Sequence, residues 1–422
     1  MTKQTLRIFI LLCLPFIGYG QTQIRCAIKE IAQQSLRNRH QAFEKKLQQY
    51  YSKAEGSLES DDRLIKIPVV VHVVHNNASG TIGGDKNNNI SDEQIISQIK
   101  VLNEDYRRKS GTPGFNSSPV GADMNIEFVL ASVDPEGNPT NGITRTYSAQ
   151  ASFDVFKDNY TLSSLSYWDA NKYLNIWVTS IKDGYLGYGE FPGADFDGLD
   201  LEDVNEQIDG VIIDHKAFGR QTGTSNSGVY KFGRTVTHEV GHWLGLIHTW
   251  GDAFCGDDFC NDTPPTERAN LSNFCRPLSS NCNGMVTQNM IENFMDYTPD
   301  SCMNTFTQDQ KGRVRAVLEL SKRRRRLVIN SQFSLPAAEK FEVRVLENPT
   351  IEDQFRLQVL LPGYKDFSYK VYNSMGQEVL AKDFKDYPST VIEIPRAKLS
   401  KGIFNIRLIS GGEVISRRLI SL

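Results

Sequence analysis

The chain has 422 residues, more than a single compact core holds, so two or three folded units are expected. Hydrophobic residues make up 39% and charged residues 23%, the balance of an ordinary globular protein. A net charge of −3 leaves no basic excess to neutralise phosphates, which argues against nucleic acid as a partner.

Lys3 and Arg7 precede an apolar stretch, Ile8 to Ile17, followed by the small residues of Gly18-Tyr19-Gly20. This pattern reads as a secretory signal over residues 1–20, cleaved before Gln21. The apolar run is shorter than the ~20 residues of a spanning helix, and no transmembrane segment is expected in the mature chain. Residues 21–60 are polar and helix-prone, with Ile28, Ile31, Leu36, Phe43 and Leu47 scattered among charges. They read as a propeptide lying on another surface. Ile67 to Val74 is a β-branched run and predicts a buried strand. Ser91-Asp92-Glu93-Gln94 reads as a capping box that opens a helix with Ile95, Ile99 and Leu102 on one face. Further strands are expected at Asn125 to Leu130, Tyr173 to Ser180 and Gly210 to Asp214. Strands interleaved with helices predict an α+β unit with a mixed sheet, assigned to residues 61–322.

After Ser321 the character changes. The basic run Lys322 to Arg326 leads into a polar linker, residues 323–340. Alternating segments then follow, including Phe355 to Val359, Tyr369 to Tyr372, Ile403 to Leu408 and Val414 to Ile420. Turn signals such as Pro362-Gly363 and Gly411-Gly412 separate them, which predicts an antiparallel β-sandwich over residues 341–422.

The stretch Thr237 to His248 carries the chemistry. Phe232, Val236, Val240 and Trp243 recur at helical spacing, and His238 and His242 share one face a turn apart. Two imidazoles so placed reach one ion, and Glu239 projects toward the same edge as a general base. Gly245 can take the left-handed conformation that ends the helix and returns His248 as third ligand. Three of the seven histidines fall in this stretch, with Glu and Gly at the required offsets. The pattern points to catalytic zinc in a peptide-cleaving enzyme. The alternative is a surface adhesin with a structural zinc site, but such sites are usually closed by four protein ligands.

Seven cysteines are present. Cys13 leaves with the signal, Cys26 lies just inside the exported chain, and Cys255, Cys260, Cys275, Cys282 and Cys302 cluster in one stretch. Such clustering in an exported protein reads as disulfides, with one thiol left over. Asp257 to Thr263 offers several oxygens to calcium, against the alternative of a solvated acidic loop. Asp195 to Asp209 is a weaker acidic stretch of the same kind.

The extended histidine motif resembles that of the metzincins, and Asn293-Phe294-Met295-Asp296-Tyr297 matches their methionine turn. The resemblance implies Met295 as a floor beneath the zinc and Tyr297 as a stabiliser of the tetrahedral intermediate. His248 to Asp252, Asp262-Thr263-Pro264 and Met295 to Phe306 narrow it to the pappalysin family. That family pattern implies disulfides Cys255–Cys282 and Cys275–Cys302, and calcium at Asp258, the Asn261 carbonyl and Thr263. Cys260 departs from the pattern and leaves another pairing open. Cys26 is implied as a latency thiol occupying the fourth zinc position; a disulfide from Cys26 to the odd cysteine is the alternative. The family's preference for Arg or Lys after the scissile bond points to an acidic pocket residue, Asp300, with Ser301 as the other choice. Under that preference Arg63 and Arg323 to Arg326 become self-cleavage sites, against the simpler reading of the run as a solvated helix end. Gly187, Tyr188 and Gly189 are expected at an edge strand that pairs with substrate backbone. Glu347 to Thr350, Val371 to Gly376 and Leu399 to Phe404 resemble the type IX sorting domain, implying the outer-membrane secretion machinery as a partner.

Overall fold

A computed structural model describes residues 25–26, 41–50, 62–192, 206–329, 338–350 and 353–422. The export signal read at residues 1–20 and most of the propeptide segment lie outside them. The unit read at residues 61–322 is built on a six-stranded mixed sheet. Strand β1 (Ile65–His75) is central, and its long apolar run suits burial on both faces. It pairs in parallel with β2 (Ile126–Leu130), β3 (Ile143–Tyr147) and β4 (Leu174–Thr179). Next to β4 lies β6 (Gly210–Asp214), again parallel, and β5 (Gly187–Gly189) closes that side antiparallel to β6. The order β2-β1-β4-β6-β5 leaves β5 at the edge.

Helix α2 (Asp92–Tyr106) starts at Ser91, whose side chain accepts from the Gln94 N–H. The capping box read from the sequence is only half made. The Gln94 amide turns inward instead, donating to the His215 and Phe218 carbonyls, because those buried acceptors need a partner. The metal-site helix α4 (Arg234–Trp243) lies between α2 and the β5–β6 edge, buried along its whole length. Val236, Val240 and Trp243 join the core formed by β1, β4, β6 and α2.

Two further helices close the unit, α5 (Gln308–Leu320) and α6 (Lys322–Ile329). The sequence reading of a solvated basic helix end holds for Lys322, Arg325 and Arg326, which are exposed, but not for the two arginines between them. Arg323 and Arg324 are buried, and Leu327 belongs to the same core as α4. The catalytic unit therefore takes in residues assigned above to the linker. Residues 41–50, helical and labelled α1, pack on α5 through Phe43 and Leu47 against Ala316 and Val317. Glu44 forms a two-pronged ion pair with Arg313.

The C-terminal unit is a sandwich of two antiparallel sheets. One holds β9 (Glu342–Val345), β10 (Gln354–Leu360) and β13 (Thr390–Pro395). The other holds β11 (Lys365–Tyr372), β12 (Glu378–Tyr387), β14 (Gly402–Ser410) and β15 (Glu413–Ser421). Phe355, Leu357, Val371, Ile394, Ile406, Leu408 and Leu419 alternate inward to fill it. The sandwich rests on the outer face of α2, where Ile96 joins its apolar cluster and Lys100 pairs with Asp386.

Candidate metal centre

Helix α4 presents His238 and His242 on one face, and the chain then turns at Gly245 with φ +89°. This is the left-handed step expected of glycine after a helix end, and it brings His248 back. The three Nε2 atoms converge: His242 lies 3.1 Å from both His238 and His248, and those two are 3.3 Å apart. Donors about 2.0–2.1 Å from one ion at tetrahedral angles stand roughly 3.3–3.4 Å apart, so this donor set fits zinc. Each ring is aimed by its other nitrogen. His238 Nδ1 bonds the Phe294 carbonyl at 2.7 Å, His242 Nδ1 bonds the Leu246 carbonyl at 2.8 Å, and His248 Nδ1 meets the Asp252 carboxylate. Such outer partners fix which nitrogen faces the metal. Burial, followed by the neighbouring imidazoles, drives His238 well below the usual histidine range and holds it neutral, as a ligand must be.

Cys26 supplies a fourth donor. Its sulfur and the three imidazole nitrogens all lie within 4.8 Å of one another, and all four residues are buried. The thiol also donates to Glu239 Oε2 at 3.5 Å. Glu239 Oε1 is buried without a side-chain partner and lies against β5, 2.8 Å from where a Cβ on Gly187 would stand. Burial pushes the Glu239 carboxyl up to about 8 in this arrangement, against the opposing pull of Cys26 and Arg25. The alternative of a Cys26 disulfide is not what forms: neither Cys26 nor Cys260 is in a disulfide. The disulfides are Cys255–Cys282 and Cys275–Cys302, the pairs implied by the resemblance.

Met295 lies directly under α4. A Cβ placed on Gly241 would stand 2.5 Å from Met295 Sδ, so only glycine lets the turn approach this closely. Tyr297 packs between His238 and His248, with ring centres 5.7 and 4.9 Å away, and its hydroxyl donates to the Cys26 carbonyl at 3.4 Å.

Beside the metal centre is a small acidic pocket that Arg25 fills. Its Nη2 donates to Asp300 Oδ1 at 3.0 Å and its Nη1 to the Thr298 carbonyl at 2.7 Å. Its guanidinium lies 5.2 Å from the centre of the Tyr230 ring. Asp300 Oδ2 accepts from the Phe232 and Arg234 amides, which locks the carboxylate in place. Ser301, the other choice from sequence, is exposed and outside the pocket. Sequence reasoning did not assign Arg25, Thr298 or Tyr230. The signal for Arg25 was available, because an Arg next to the cysteine read as a latency thiol matches the expected Arg pocket.

At the calcium stretch, Asp258 and Thr263 come together. Thr263 Oγ1 lies 2.8 Å from both Asp258 oxygens, and burial pushes the Asp258 carboxyl up to about 7. The other acidic stretch lies mostly outside the described residues, and its last member, Asp209, is engaged by Trp243, Arg323 and Arg324.

The family profile described as "Pregnancy-associated plasma protein-A" matches residues 159–319. An extracellular metalloprotease from Pyricularia oryzae is 32% identical over 264 residues, covering 62% of this chain and 77% of that one. The chain belongs to the pappalysin family. Mature mirolysin of Tannerella forsythia, solved with a cleaved peptide, is 41% identical, with 65% of this chain and 99% of that one covered and a TM-score of 0.56. A variant of promirolysin from the same organism is 36% identical, covering 74% and 99%, with a TM-score of 0.59. A profile described as "Secretion system C-terminal sorting domain" matches residues 347–421. The protein is a secreted or cell-surface metalloendopeptidase with a type IX sorting domain, which removes the adhesin alternative.

Proposed function

We propose that the chain is a latent zinc endopeptidase in which His238, His242 and His248 hold the metal and Glu239 is the general base. The observation that carries this reading is the convergence of three aimed imidazole nitrogens with the Cys26 thiol, which in turn reaches Glu239 Oε2. Zinc bound there supplies a Lewis acid that polarises the scissile carbonyl and acidifies water. Glu239 takes the proton from the attacking water at its carboxylate and delivers it to the leaving amine. The Tyr297 hydroxyl, released from the Cys26 carbonyl, donates to the developing oxyanion. Met295 supports the centre from below. The edge strand β5 pairs with the substrate backbone by strand addition.

Latency rests on Arg25 and Cys26, which fill the pocket and the fourth metal position together. The Arg25–Asp300 pair is the template for substrate: Arg or Lys following the scissile bond would meet the same carboxylate and carbonyl. Asp258, the Asn261 carbonyl and Thr263 form a structural calcium site, supported by a buried carboxylate that a cation would stabilise. The sorting domain engages the outer-membrane secretion machinery.

The deciding experiment replaces Glu239 with Ala in the activated chain. Zinc content should stay at one per chain while cleavage of a fluorogenic peptide falls by about 10²–10⁴. Cleavage at the wild-type rate would sink the assigned mechanism.

A further inference from the structure

The basic run Lys322 to Arg326 has no part in the chemistry above, yet one of its members touches three elements of the active site. Arg324 Nε donates to the Trp243 carbonyl at 3.1 Å, Nη1 to Asp209 Oδ2 at 2.5 Å, and Nη2 to the Glu190 carbonyl at 3.4 Å. Its guanidinium carbon lies 4.1 Å from the centre of the Trp243 ring. The Trp243 indole N–H donates to Asp209 Oδ1 at 2.8 Å, and Arg323 Nε reaches Asp209 Oδ2 at 2.9 Å. Trp243, Asp209 and Arg324 are all buried.

Each acceptor belongs to a working part. Trp243 ends α4 one residue after His242, and its carbonyl is among those a helix end leaves without a helical partner. Glu190 directly follows β5, and Asp209 leads into β6. A planar cation with five donors can serve these acceptors and a ring face together, whereas a lysine ammonium cannot.

The strand and helix are also in direct contact. A Cβ on Gly187 would stand 2.6 Å from Glu239 Cγ, and one on Gly189 would overlap the Glu239 backbone. With no side chain as a buffer, any shift of β5 relative to α4 changes where a strand-paired substrate meets Glu239.

We propose that Arg324 is a positioning residue for peptide hydrolysis, locking the substrate-pairing strand β5 to the C-terminal end of the metal-binding helix. This rests on the reading of β5 as the substrate edge. The test uses the activated chain carrying Arg324→Lys, with zinc content and unfolding midpoint measured beside peptide cleavage. One peptide set has four residues on each side of the scissile bond; the other is trimmed to a single blocked residue on the acyl side. The variant should hold full zinc and lose about tenfold in kcat/KM on the long peptides, mostly through KM, and less than twofold on the trimmed ones. Asp209→Asn, which keeps volume but frees the guanidinium, should reproduce that length-dependent loss should the lysine variant fold poorly. Equal fractional loss on both sets, or no loss, overturns the proposal and leaves Arg324 a packing residue. Wild-type enzyme that does not favour long peptides would instead sink the edge-strand reading, and this proposal with it.

Discussion

Gly241 shows how tightly single atoms control this centre. The helix face that carries His238 and His242 is pressed onto Met295 with no room for a methyl group. Gly241→Ala should therefore destabilise the catalytic unit by about 1–3 kcal/mol, read from denaturant unfolding, because an overpacked core must shift. Asp300 works at the same scale through charge. Asp300→Asn should lower the kcat/KM ratio for Arg over Leu after the scissile bond by tenfold or more, measured on matched peptides. An unchanged ratio would remove Asp300 from the specificity pocket. The histidine residues were legible in sequence because their spacing is local: four residues on a helix, then a glycine turn. Asp300 was harder to separate from Ser301, since only the folded turn shows which side chain faces inward.

Among the elements, α2 is tied to α4 by a buried polar link. Asp105 accepts from Thr237 Oγ1 at 2.8 Å and pairs with Arg234 at 3.3 Å, while Tyr106 donates to the Thr237 carbonyl. Burial pushes the Asp105 carboxyl up to about 6, with Arg234 and Thr237 pulling the other way. The folded chain then keeps a proton that the unfolded chain gives up near pH 4, so stability falls as pH rises from about 4 to 6. The span of about two pH units corresponds to roughly 3 kcal/mol. Asp105→Asn should flatten that slope when unfolding is compared with the wild type at saturating zinc; parallel slopes would count against it. Strand and helix positions on this scale were largely readable, from β-branched runs and the Ser91 cap. The basic run was not. Its partners, Asp209 and Trp243, lie some eighty or more residues earlier, and only tertiary packing turns a run of charges into a buried anchor.

At the level of the whole molecule, three units meet without crowding one another's chemistry. The sorting domain sits on α2 through Lys100, Asp386 and Ile96, and none of these touches the metal centre. The segment ahead of β1 is different. Arg25 and Cys26 enter the site, and α1 grips α5 through Glu44 and Arg313. Cys26→Ala should shorten the lag before activity appears in the full-length chain, followed by continuous peptide cleavage; an unaltered lag would count against the thiol as the latch.

The adjacency of Arg25 and Cys26 has a kinetic consequence. While the backbone to the catalytic unit is intact, this pair is presented at an effective concentration on the order of millimolar. Under the proposed latency, one cut between Cys26 and α1 would turn the same two residues into a free ligand, whereas a cut after α1 would leave them held through its grip on α5. Outside the cell that ligand is diluted by diffusion, and rebinding fades once its concentration falls below its dissociation constant for the site. On that reading activation would be one-way without any further covalent change, with the extracellular volume itself as the ratchet.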